Sequence, residues 1–119
     1  NVSIVTDQYS SPTLADNMAD AILSLIGKNK RGIYHVAGSS CINRYDFSVM
    51  LANIFGFNLE LISPTTSDKF PQKAKRPMKT CLMIDKVQRD SKVRMLTAME
   101  GLLKVKKQYE DEKRRGFSW

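Results

Sequence analysis

Two short apolar runs with a helical segment between them constrain this fold more than any other feature. Val2-Ser3-Ile4-Val5 is rich in β-branched residues and stops at the polar Thr6-Asp7-Gln8, the mark of a strand. Gly32-Ile33-Tyr34-His35-Val36-Ala37-Gly38 reads as a second strand, bounded by glycine on both sides. Between them, Leu14, Met18, Ala21, Ile22 and Leu25 recur at helical spacing until Gly27 ends the run. Thr13 stands where a cap is needed, and Asp16 completes a capping-box spacing. Strand, helix, strand is a β-α-β unit, which requires a parallel sheet covered on both faces. Two strands this short do not make that sheet. The pattern predicts an α/β fold in one unit over 1–119, with the parent sheet missing. The opening on Asn1, directly on a strand, is expected of a fragment.

The rest of the chain extends this pattern. Asn43-Arg44-Tyr45-Asp46 leads into a second helix with Phe47, Met50, Leu51, Ile54 and Phe55 as its buried stripe and Gly56 as its stop. Leu59–Ile62 reads as a short edge strand before Pro64. Periodicity then fails, and the polar, basic, proline-punctuated stretch 63–79 is expected to be an ordered loop or flap. Met83–Val87 predicts a short helix. Thr97 caps a final amphipathic helix with Leu102, Leu103, Val105 and Tyr109 facing inward. Phe117 and Trp119 are candidate anchors for another surface and carry no weight.

A net charge of +7 calls for an anionic partner, either nucleic acid or the diphosphate of a nucleotide-sugar. Nucleic acid is disfavoured, because no recognisable module or interleaved aromatic stripe accompanies the charge. Lys104, Lys106, Lys107, Lys113, Arg114 and Arg115 alternate with acids on the last helix, which suits a solvated face. No apolar run reaches the roughly 18 residues that span a bilayer, so no membrane partner is expected. Cys41 and Cys81, far apart in sequence, read as two buried, reduced thiols of a cytoplasmic protein. His35 is the sole histidine and reads as structural; no metal site is expected.

Several segments resemble one family in its own order. Asp7-Gln8-Tyr9-Ser10-Ser11-Pro12-Thr13 is similar to the Asp-Gln-x-Gly-x-Pro-Thr signature of the dTDP-4-dehydrorhamnose reductases, and Ala15-Asp16-Asn17-Met18-Ala19 resembles the helix that follows it. Residues 32–38 resemble the family's next strand, Arg44-Tyr45-Asp46-Phe47 its next helix start, and Lys75-Arg76-Pro77 through Asp85-Lys86 its Arg-Pro-x-x-Ser-x-Leu-Asp segment. Ser10 stands where that family has glycine, and Thr80 where it has serine. The resemblance covers about residues 2 to 103.

It implies the C-terminal, substrate-side portion of a Rossmann-type extended short-chain dehydrogenase/reductase. The parent enzyme would use NAD(P)H to reduce a 4-keto sugar nucleotide in dTDP-rhamnose synthesis. Its partners would be a dTDP-sugar and its own Rossmann domain, and it could form a homo-oligomer. The cofactor would be held by that absent domain through a glycine-rich turn, and no such turn occurs here. No catalytic, cofactor-binding or metal residue is therefore assigned, and the chain is expected to be inactive alone. Tyr109 and Lys113 match the family's Tyr-x-x-x-Lys pattern, but they follow the C-terminal motifs where the catalytic pair should precede them. The substrate-binding candidates are Arg76, whose guanidinium fork suits a diphosphate, and Lys79 in the same basic loop. Asp7 and Gln8, ending a strand on the side where α/β ligands bind, complete the set. Their alternative is turn formation and capping; the alternative for Arg76 is pairing with a local carboxylate or exposure before Pro77, and for Lys79 simple solvation. A non-catalytic binding module of the same fold family, such as the regulatory subunit of methionine adenosyltransferase, is the competing function.

Overall fold

The computed structural model describes residues 1–69 and 71–116, so Phe70, Phe117 and Trp119 lie outside the described residues. Strand β1 (Val2–Val5) pairs in parallel with β4 (Ile62–Thr65), and a second small sheet pairs β2 (Tyr9–Ser10) antiparallel to β3 (Ile42–Asn43). Helices α1 (Ala15–Gly27), α2 (Arg44–Phe55), α3 (Asp85–Ser91) and α4 (Ala98–Arg114) surround them. The fold is α/β.

Packing divides into two regions. α1 and α3 meet around Ala21, Leu25, Val87 and Met95, with Tyr34, Val36, Ile84 and Val93 partly buried against them. α2 packs on α4 and on β1 and β4, and the Phe55 ring meets the edge of Tyr109 at 6.4 Å. Buried Asn17 ties α1 to the chain before α4, donating from Nδ2 to Arg94 O at 3.1 Å and accepting at Oδ1 from Leu96 N at 2.8 Å. The start of α2 is set by Asn43, whose Oδ1 accepts from Asp46 N at 2.8 Å, and its end by Gly56 at φ 74°.

Four expectations are corrected. Thr13 does not cap α1. The N-cap is Leu14, and Thr13 Oγ1 instead accepts from Gly38 N at 3.0 Å and donates to Ser11 O at 2.9 Å. That bond brings 32–38 against the α1 entry so closely that a Cβ on Gly38 would collide with Pro12 O. Residues 33–38 form no ladder among the described residues, leaving Ile33 79% exposed and His35 exposed rather than held inside an apolar strand. The expected edge strand at 59–62 is a 3₁₀ turn over Leu59–Leu61, followed by β4 through Pro64. β1 is the only described neighbour of β4, and an edge strand is where proline is tolerated. Cys41 and Cys81 are not free thiols but a disulfide, with Cys41 exposed and Cys81 half-buried.

Candidate binding site

Asp7 and Gln8 follow β1 after one intervening residue, and both bond to Ser67, just past the end of β4. Ser67 donates to the Asp7 carboxylate from its backbone N–H at 3.0 Å and from its hydroxyl at 2.8 Å. Gln8, only 5% exposed, donates from Nε2 to Ser67 Oγ at 2.8 Å. These donors, the Ser67 amide first and its hydroxyl second, hold the Asp7 carboxyl below its ordinary value. The two side chains thus clasp the start of the 63–79 stretch to the end of β1.

The far end of that stretch is pinned by backbone. Tyr9 N donates to Met78 O at 2.7 Å, and Thr80 N donates to Tyr9 O at 3.0 Å, so Lys79 runs parallel beside Tyr9. Tyr9 therefore sits between Asn43 on one side and Lys79 on the other. Lys79 Nζ lies 5.8 Å from the centroid of the Tyr9 ring, within cation–π reach.

Two open clefts border this framework. One, of about 490 Å³, is lined by Ser67, Asp68, Gln72, Lys75, Arg76 and Met78. The other, of about 480 Å³, lies along Ser3, Val5, Ser10, Arg44, Phe47 and Gln72. Gln72 lines both, so the rim continues from the basic loop to the start of α2. Ser67, held by Asp7 and Gln8, lines the same cleft as Arg76, while Asp7, Gln8 and Lys79 themselves stand outside both linings. Ser67, Gln72 and Arg44 were not among the sequence candidates. Arg44 had a signal, being part of a family-like motif but read only as a helix start. Ser67 lies 60 residues from Asp7, and nothing local announces their contact.

Chemically, the arrangement offers cations and amide donors to an oxygen-rich anion. The connection from Thr6 to Leu14 contains no glycine, and Asp16 occupies the first turn of α1, where a pyrophosphate would need neutral or positive surroundings. Tyr109 and Lys113 lie on α4, and neither lines the two clefts.

Known proteins share this fold. The dTDP-4-dehydrorhamnose reductase of Clostridium acetobutylicum superposes with a TM-score of 0.82 at 24% identity, covering 92% of this chain and 39% of that one. The reductase of the same name from Yersinia enterocolitica gives a TM-score of 0.75 at 25% identity, over 87% of this chain and 36% of that one. The dTDP-4-dehydrorhamnose reductase of Aggregatibacter actinomycetemcomitans is 31% identical over 98 residues, which is 73% of this chain and 33% of the relative. The fold is an α/β domain of the kind found in part of those reductases. The family model described as the RmlD substrate binding domain matches residues 1–110, and the chain belongs to that family. It spans about a third of the length of the curated relatives it matches.

Proposed function

We propose that this chain is the substrate-binding part of a nucleotide-sugar reductase resembling dTDP-4-dehydrorhamnose reductase. The whole enzyme would reduce a 4-keto sugar nucleotide with NAD(P)H, leading to dTDP-rhamnose. The chain is inactive by itself, and the dinucleotide is held by the accompanying Rossmann domain. The observation that carries this reading is the basic cleft of Arg76, Lys75 and Gln72, fastened to the strand end by Asp7, Gln8 and Ser67, within a family of substrate-binding domains. On this reading Arg76 supplies a two-pronged contact to the diphosphate and Lys79 adds undirected positive charge. Asp7 and Gln8 position the loop rather than touch the sugar.

The test uses the full-length protein with NADPH and a dTDP-4-keto-6-deoxy sugar. Arg76→Ala should raise KM roughly tenfold, the loss of one charge-assisted contact of about 1.5 kcal/mol, with kcat little changed. An unchanged KM would remove Arg76 from the site. Tight dTDP-sugar binding with no turnover in the full-length protein would favour the non-catalytic module instead.

A further inference from the structure

We infer that Cys41 and Cys81 form a thiol–disulfide switch that sets how firmly the basic loop is held over its cleft. Cys41 directly precedes β3 and Cys81 directly follows the 78–80 segment, so the disulfide joins the two outer members of the small sheet beyond the end of β2, with Cα atoms 5.5 Å apart. Of the described side chains from Asp68 to Thr80, all are exposed except half-buried Gln72. Among the described residues none in this stretch belongs to the core, and the bonds that hold it lie at its ends, through Ser67 on Asp7 and Gln8 and through backbone bonds to Tyr9 beside the disulfide. Hydrogen bonds at an exposed edge compete with water, so the covalent link is the strongest restraint on the second end.

Cys41 is exposed, and an exposed disulfide is the labile kind. A dithiol reductant attacks Cys41 Sγ as its thiolate and displaces the Cys81 thiolate. Its second thiol then resolves the mixed disulfide. Two electrons and two protons pass to the cysteines, and the reductant leaves as its own disulfide; an oxidised dithiol reverses the exchange. Reduction frees the segment that carries Lys75, Arg76 and Lys79.

Limited trypsin digestion of the full-length protein, with and without prior dithiothreitol treatment, tests this directly by following cleavage after Lys75 and Lys79. Cleavage at both should accelerate roughly tenfold on reduction, because it tracks the population of the open loop. The Cys41→Ser/Cys81→Ser variant should be cut at the fast rate whatever the redox state. Capping the reduced wild-type cysteines with iodoacetamide gives the same readout if that variant does not fold. Equal cleavage in the two states overturns the switch, as does alkylation of both cysteines without prior reduction. A consequence for catalysis rests on the proposed function: KM for the dTDP-4-keto sugar should rise several-fold in the reduced protein. A tenfold change in cleavage with unchanged KM upholds the switch and counts against the substrate assignment.

Discussion

Asn17 shows how much one polar side chain decides in this chain. It is 7% exposed on the inner side of α1, and both ends of its amide are spent on the backbone at Arg94 and Leu96. Asn17→Ala would leave the part-buried Arg94 carbonyl and the buried Leu96 N–H without this partner, which costs about 1–3 kcal/mol of stability; urea unfolding should show the midpoint fall with its slope unchanged. Gly38 is decisive for the opposite reason, since it must be without a side chain. Gly38→Ala drives a methyl at Pro12 O and strains the Gly38–Thr13 bond, with an expected loss of about 1–3 kcal/mol in the same assay. Neither role was legible in the sequence. Asn17 sat inside a recognisable motif, but its partners lie 77 and 79 residues away. Gly38 reads as a strand boundary, while its actual constraint is the approach of residue 12. Asp7 and Gln8 were visible as polar residues at a strand end; that both would be spent on Ser67 depends on a parallel pairing across the whole length between β1 and β4.

At the scale of elements, what the sequence revealed was whatever chemistry is local. Asn43 and Gly56 bound α2, and Thr97 with Glu100 begins α4 through a full capping box. A proline in β4, an unpaired 33–38 and a disulfide across 40 residues are tertiary outcomes, set by neighbours rather than by local propensity. The α4 cap yields the pH prediction. Glu100 is hydrogen-bonded first by the Arg94 guanidinium, at 2.9 and 3.0 Å, and next by the Thr97 backbone, which pulls its carboxyl from an ordinary 4.5 down to about 2. A folded value below the unfolded one means that the ionised group stabilises the native state above about pH 4.5. That contribution is lost as pH falls towards 2. Glu100→Gln should therefore lower Tm at neutral pH and flatten the fall in Tm between pH 4.5 and 2. Equal slopes in variant and wild type would show that the cap does not sense pH. Thr97→Ala removes the hydroxyl that accepts from Glu100 N, with an expected cost of about 1 kcal/mol.

For the whole molecule, shape is the informative quantity. The Cα radius of gyration is 16.7 Å and the extents are 47 × 42 × 21 Å, against a radius of about 13.5 Å for a compact domain of this length. The chain is a slab rather than a ball, and its broad faces are incompletely polar. Ile22, Leu23 and Ile26 lie on one outer face of α1 by helical spacing and are 42%, 66% and 65% exposed. Met83 is 82% exposed, and Ile33, the first residue of the 33–38 segment without a ladder, is 79% exposed. Backbone groups without a ladder and uncovered apolar side chains are both templates for association. Residues 1–119 expressed by themselves should therefore self-associate at tens of micromolar. Light scattering coupled to gel filtration should give a mass above the 13.5 kDa of one chain. The Leu23→Glu/Ile26→Glu variant should shift that mass towards the monomer without loss of helix signal, because both side chains point away from the Ala21–Leu25 core. A monomeric wild type at those concentrations would mean that the slab is self-sufficient. In that case the α1 face needs no cover, and the rest of a full-length protein would contribute chemistry without being required for stability.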